Sequence, residues 1–299
     1  MLSPSSHSPR MGGDYASKVS ARSVAALVAG GLAVAATGVL TWSVAVEPDR
    51  LVVHRVHVPV RGLPRAFDGF RIAALSDVHA GSPHVGREKL RQIARTVNGL
   101  DPDAVVFLGD LVIHGMVGGR FIEPEVSAAE LGQIRAPKIA VLGNHDWRLD
   151  GRRVGRALEA AGFRVLDNDV TRAERAGDSL WFAGLADLKT RRPNIPGVLA
   201  RVPAGDAVIV LSHNPDVFPS VPARVGLTLA GHTHGGQVRL PLVGALVVPS
   251  RFGRRYASGL VEEDGRRLFV TSGIGTSYIP VRLGVSPEIA EIMLTAAPP

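Results

Sequence analysis

The sequence predicts an α/β domain built on a largely buried sheet and preceded by one membrane-crossing helix. Three observations predict it. Short apolar runs break repeatedly into polar loops, helix-like stretches separate the first of these runs, and a charge-free run of 24 residues, Ser23–Val46, lies near the N-terminus. Hydrophobic residues make up 45% of the 299-residue chain and charged residues 20%, a balance that excludes a disordered or fibrous chain. With no cysteine, disulfides, Cys-type zinc sites and thiol catalysis are excluded.

Residues 1–22, rich in Ser, Pro and Gly, read as a flexible leader. As a helix, Ser23–Val46 would be roughly 36 Å long at about 1.5 Å per residue, enough to cover a hydrocarbon core of about 30 Å. It exceeds the apolar region of about 7–15 residues in a cleaved signal peptide. A retained single-pass anchor in the cell membrane is therefore expected, with Ser43 and Ala45 as small residues for the alternative of cleavage. Arg10, Lys18 and Arg22 precede it and Arg50, Arg55, Arg61 and Arg65 follow it, so the positive-inside rule gives no orientation.

From residue 47 to residue 299 the pattern is that of one domain. Residues 51–60 alternate as a strand does. RIAALSD (71–77), DAVVFLGD (103–110), KIAVLGNHD (138–146), DAVIVLSH (206–213) and GLTLAGHTH (226–234) each read as a buried strand breaking into a polar loop. Helices are expected over Gly86–Leu100, Pro124–Gln133 and Arg152–Ala161. Strand–helix alternation of this kind gathers ligands at the carboxyl ends of the strands. The formal charge of +7 is spread along the chain. It suits phosphate-bearing substrates or an anionic membrane surface, and no Lys/Arg run with interleaved aromatics points to nucleic acid.

His79, His145, His213, His232 and His234 fall at the ends of apolar strands, and Asp77, Asp110 and Asn144 hold equivalent positions. One strand-end histidine is usually a structural hydrogen-bonding residue. Five, with two Asp and one Asn on one rim, make sense around divalent cations, whose charge compensates the carboxylates and holds the imidazoles neutral. Asp77-Val78-His79 and His232-Thr233-His234 place paired side chains on one side of an extended loop. Gly109, Gly143 and Gly231 are expected to let the backbone turn as each strand ends. Mixed oxygen and nitrogen donors suit Mn²⁺, Fe or Zn²⁺ better than Ca²⁺, and divalent ions are expected, Mn²⁺ first, with Fe, Zn²⁺ or Mg²⁺ as alternatives.

The ordered series D-x-H (77–79), G-D (109–110), G-N-H-D (143–146), S-H-N-P (212–215) and G-H-T-H-G-G-Q (231–237) resembles the calcineurin-like metallophosphoesterase superfamily. VPSRFGRRYASG (248–259) and TSGIGTSYIPVRLG (271–284) resemble a narrower group, the membrane-anchored bacterial enzymes acting on phosphodiesters or on UDP-2,3-diacylglucosamine. The similarity covers about residues 47–294. It implies a four-layer α/β/β/α sandwich and two metal ions bridged by Asp110. Asp77, His79 and His234 would bind one ion, and Asn144, His213 and His232 the other, with His145 as the non-ligand catalytic histidine. The implied reaction is attack by a metal-bridging hydroxide on a phosphodiester or pyrophosphate bond in a lipid or lipid-linked nucleotide.

One departure stands out. Many relatives read G-D-x-x-D, the second Asp orienting the catalytic histidine, and here Ile113 takes that place. The expected substitute is His114 or Asp146, or else the backbone alone positions His145. A phosphomonoesterase or nucleotide phosphatase of the same superfamily is the competing reading, and a non-catalytic, metal-stabilised membrane scaffold is a second.

Other residues follow from the same stretches. Leu240–Phe252 reads first as a β-hairpin packed in the core. The alternative is an apolar lip meeting bilayer or acyl chains, with Arg251, Arg254 and Arg255 meeting phosphates. Arg282 reads first as a surface arginine and second as a substrate contact. His54 and His57 read as structural or exposed, and His84 first as a solvated loop residue and second as a substrate contact. Asp187 is a candidate for the pocket wall.

Overall fold

The computed structural model describes residues 21–113 and 115–297. Most of the leader expected over 1–22, and His114, lie outside the described residues. The chain divides at Thr41/Trp42 into two units, ahead of the boundary expected at 46/47. The reason is local: Trp42–Val46 and Glu47–Asp49 form short helical turns that bond into the second unit. Ser43 O accepts Arg282 N–H at 2.9 Å, and Glu47 Oε2 accepts Gly284 N–H at 2.9 Å.

In the first unit α1 (Ala21–Thr41) is exposed along its described length. The helical stretch Arg22–Asp49 is long and apolar enough to cross a membrane.

The second unit begins with β1 (Val52–Val60), β2 (Arg71–Leu75), α2 (Arg87–Leu100), β3 (Ala104–Phe107), α3 (Pro124–Gly132), β4 (Lys138–Ala140), α4 (Asn144–Ala160) and β5 (Phe163–Val165). It continues through β6 (Asp169–Arg175), β7 (Asp178–Gly184), α5 (Ile195–Leu199), β8 (Ala207–Leu211) and β9 (Leu227–Ala230). The ribbon β10 (Arg239–Leu240) and β11 (Gly244–Ala245) follows, then β12 (Gly259–Glu263), β13 (Arg266–Val270) and β14 (Glu288–Ala296). One six-stranded sheet has the order β1-β14-β2-β3-β4-β5, and the other β12-β13-β9-β8-β7-β6. Strands β2 to β5 run parallel, as do β7, β8, β9 and β13.

Both sheets are apolar on two faces, which is what buried parallel strands require. On β3 and the residue after it, Val106 and Leu108 pack between the sheets with Phe182, Ile209 and Leu229. Val105 and Phe107 point the other way, onto Leu90, Ile93 and Val97 of α2 and onto α3 and α4. The period of two along a strand produces this division. In α2 the buried residues Leu90, Ile93, Ala94 and Val97 recur at helical spacing. The far face of the second sheet is covered more thinly, by α5 and the short turns carrying Phe218 and Tyr256. The result is the four-layer α/β/β/α sandwich, with a slight fourth layer.

Two expectations change. The helix expected over Arg152–Ala161 is the second part of α4, which starts at Asn144 and breaks at Asp150. The Leu240–Phe252 segment does not pack in the core. Among the described residues its two-residue strands pair with each other and join neither six-stranded sheet, and Leu242, Val243, Leu246, Val247 and Phe252 are exposed. The ribbon is too short to lay an apolar face on either sheet.

Candidate metal centre

The ligand-bearing loops leave β2, β3, β4, β8 and β9 at their carboxyl ends, and the structure brings all eight predicted residues to one buried rim. Asp77, His79, Asp110, Asn144, His145, His213, His232 and His234 are each at most 6% exposed. The strands end earlier than their apolar runs suggest because the ligands occupy sharp turns. Asp77, His79, Asp110, His232 and His234 all have left-handed backbone, with φ of 51°, 46°, 59°, 71° and 52°. Such φ values are uncommon outside glycine, and their concentration here marks a functional site. The glycines play a different part from the one expected at two positions of the three. Gly109 does turn, at φ 94°, but Gly143 and Gly231 provide room: a Cβ on Gly143 would overlap Asp110 Oδ1, and one on Gly231 would overlap Ser76 Oγ.

The donor atoms form two groups. In one, His79 Nε2 and His234 Nε2 lie 3.2 Å apart, with Asp77 Oδ1 3.4 Å from His234 Nε2. In the other, His213 Nε2 lies 3.0 Å from His232 Nδ1, 3.2 Å from Asp110 Oδ2 and 3.3 Å from Asn144 Oδ1. Asp110 Oδ2 is also 3.8 Å from His79 Nε2, which places it between the groups. His79 Nδ1–H donates to Val112 O at 3.1 Å, and His213 Nδ1–H donates to Leu108 O at 2.8 Å. These bonds fix the tautomer that turns each Nε2 lone pair inward. Lone pairs crowded this closely repel one another unless a cation or proton lies among them. Asp77 Oδ1, moreover, is buried without a hydrogen-bond partner. The donor set fits two divalent cations.

Electrostatics agree with that fit. Burial pushes Asp77 up to about 6 and holds His79, His232 and His234 below the ordinary histidine value. Burial also opposes charge on His213, but Asp110 beside it outweighs this and raises His213 to about 10. Asp110 in turn is held well below the carboxylate range: burial works against it, and His213, His145 and His79 prevail. A proton on His213 thus stands where a cation would.

His145 meets Asp110 through its backbone N–H, 2.8 Å from Oδ1, and its ring packs edge-on against His79 at 4.8 Å. Burial lowers its pKa to about 4, so the ring is neutral at neutral pH. Asp146 does not orient it. Oδ2 of Asp146 accepts from Asp110 N (2.8 Å) and Gly143 N (2.9 Å), and Oδ1 accepts from Leu111 N (2.8 Å) and Val112 N (3.3 Å). Both oxygens are spent on the ligand loops.

The rim opens into a cleft of about 330 Å³, walled by Leu246, Val247, Tyr278 and Ile279, with Arg148 and Lys189 as its cations. Neither cation was singled out in the sequence. Arg148 lies one helical turn beyond Asn144, a signal visible only once α4 is known to begin at the ligand. Asp187 is not a wall: its Oδ2 accepts from Lys189 N, Thr190 N and Thr190 Oγ, building the turn that presents Lys189.

The three expected substrate arginines lie elsewhere. Arg254 donates to Ala245 O at 2.7 Å and Arg255 pairs with Glu263. Arg282 is fully buried, neither on the surface nor on the cleft. Its guanidinium donates to the carbonyls of Ser272, Gly273, Gly275 and Val285. His54 pairs with Glu288 and His84 with Asp49.

Residues 70–236 match the family described as calcineurin-like phosphoesterase. A Bacillus subtilis protein described as an uncharacterized metallophosphoesterase, YkuE, is 31% identical over 274 residues, covering 90% of this chain and 93% of that one. A Danio rerio transmembrane protein with metallophosphoesterase domain is 34% identical over 272 residues, covering 85% of this chain but 59% of that longer protein. Phosphodiesterase YaeI of Escherichia coli is 33% identical over 204 residues, covering 64% of this chain and 70% of its own. The chain belongs to the calcineurin-like phosphoesterase family and is a metallophosphoesterase.

Proposed function

We propose that this enzyme, anchored by α1 as a single-pass protein of the cell membrane, hydrolyses a phosphodiester or pyrophosphate bond in a lipid or lipid-linked nucleotide such as UDP-2,3-diacylglucosamine. The observation that carries the reading is the cleft, in which a metal-donor rim, two cations and an apolar wall face one space. The E. coli relative named a phosphodiesterase and the D. rerio relative named a transmembrane protein support it.

Asp77, His79 and His234 would hold one ion, Asn144, His213 and His232 the other, and Asp110 both. Divalent cations, Mn²⁺ in our reading, supply Lewis acidity toward the phosphoryl oxygens and lower the pKa of water. Neutral His145 presents a ring N–H to a phosphoryl or leaving oxygen. Arg148 and Lys189 balance charge on the equatorial oxygens. Leu246, Val247, Tyr278 and Ile279 exclude water and receive an apolar substituent.

A screen with Mn²⁺ tests this. Bis-(p-nitrophenyl) phosphate and a pyrophosphate-linked lipid precursor should both be cleaved, and the reading fails if neither is. Asp110→Ala should lose bound metal and turnover together, and unchanged turnover would refute the shared-ligand assignment.

A further inference from the structure

We infer that the tip of the β10–β11 ribbon, Leu242 and Val243, docks into a lipid bilayer at the headgroup–acyl boundary, beside the apolar wall of the cleft. The inference rests on α1 being a membrane anchor.

The tip is apolar and bare. Leu242 is fully exposed and Val243 about half exposed, and the cleft wall of Leu246, Val247, Tyr278 and Ile279 continues the apolar surface. Leu242 and Tyr278 both have φ 63°. A water-facing turn with such backbone normally takes Gly, Asn or Asp, yet these positions present an exposed leucine and an exposed tyrosine. Residues 238–252 contain no acidic residue. Around the tip, Arg239 bonds Ser258 Oγ and Arg254 bonds Ala245 O, and neither is in an ion pair among the described residues. An apolar tip flanked by two arginines outside any ion pair is the pattern of a membrane-interface element.

A strap of hydrogen bonds leads to the tip from the residue that directly follows α1. Trp42 Nε1–H donates to Glu47 Oε2 at 3.0 Å, which also accepts Gly284 N–H. Ser43 O accepts Arg282 N–H. Leu283, between those two partners, donates to Gln237 O at 2.9 Å and accepts Arg239 N–H at 2.7 Å. The ribbon therefore starts one step from the segment at which the chain leaves its apolar helix. A half-exposed Trp at that point, with Arg50 over its ring at 5.5 Å, is typical of a membrane–water boundary. This continuity favours a bilayer over a second copy of the chain.

The absence of native cysteine makes the test direct. Full-length Leu242→Cys, Val243→Cys and, as a distant control, Glu174→Cys are labelled with a polarity-sensitive fluorophore. Each is reconstituted into phosphatidylcholine–phosphatidylglycerol vesicles with and without brominated acyl chains. Labels at 242 and 243 should shift to the blue and be quenched by bromolipid, and the label at 174 should do neither. Labels at 242 and 243 as solvated as the one at 174 overturn the inference. So do labels shielded from water but not quenched, which would mean that protein covers the tip. Hydrolysis of bis-(p-nitrophenyl) phosphate by the unlabelled parent in the same vesicles separates failure of docking from failure of the proposed activity.

Discussion

Arg282 Nη2 donates to the carbonyl of Gly275 at 2.6 Å, and the N–H of the same Gly275 donates to Asp77 O at 2.6 Å. A buried guanidinium thus braces the loop that lies against Asp77 and His79, two of the proposed ligands, and Ile274 N–H to Ser76 O adds a second tie. Arg282→Lys keeps a cation but not the planar fork, leaving buried carbonyls unsatisfied at about 1–3 kcal/mol each. The variant should lose stability in urea, and in a metal titration its weaker class of site should be the one holding Asp77, His79 and His234. Parental stability and stoichiometry in the Lys variant would remove Arg282 from this role.

The eight rim residues could be picked out in the sequence because each ends an apolar run, and five strands with polar ends have few other uses. Arg282 was not, since a lone arginine in a Pro–Gly turn carries no mark of burial. Its environment depends on residues 272–275 folding back over β2. Arg148 stayed hidden because the periodicity of α4 starts only after the break at Asp150. The Leu240–Phe252 segment misled for the opposite reason: composition marks it apolar, but only the pairing of its short strands shows that it has no sheet to lie on.

His213 governs a second prediction. Its folded pKa of about 10 lies above the neutral range, so the metal-free site carries its proton, whereas a ligand imidazole must be neutral. Metal uptake should release on the order of one proton per chain, and affinity should fall about tenfold per pH unit below 10. Calorimetry near pH 7.5 in two buffers of different ionisation enthalpy counts the protons. Equal apparent enthalpies in both buffers would count against a charged His213.

Arg148 and Lys189 give the third. Arg148→Ala and Lys189→Ala should each lower kcat/KM about 10-fold or more, the scale of one charge-assisted contact to a phosphoryl group. Arg254→Ala and Arg255→Ala should leave hydrolysis of a soluble phosphodiester near the parental rate. The reverse pattern would restore the arginines singled out in the sequence.

Glu130, nearly buried between α2 and α3, gives the fourth. Its Oε1 accepts from Arg87 Nη2 (2.7 Å) and Arg91 Nη2 (3.0 Å), and Oε2 from Arg91 Nε (3.0 Å) and Gln133 Nε2 (2.8 Å). Arg91, then Arg87, holds its pKa below 4.5. A depressed carboxylate stabilises the fold above its unfolded pKa and stops doing so as pH falls through the folded value. Glu130→Gln should cost about 1 kcal/mol at pH 7, the scale of a partly exposed ion-pair network, and less at pH 3. An equal loss at both pH values would point to packing instead of charge.

The place of β14 in the first sheet bears on how the protein is made. It pairs in parallel with β1 and antiparallel with β2, so it fills the gap between the two earliest strands. The Arg55–Glu291 contact across that gap joins residues 236 apart in the chain. During synthesis β1 and β2 emerge early and cannot close their sheet until residues 288–296 are free, so long-range closure sets the pace of folding. Until then the nascent chain would wait with an open sheet and its apolar strands exposed.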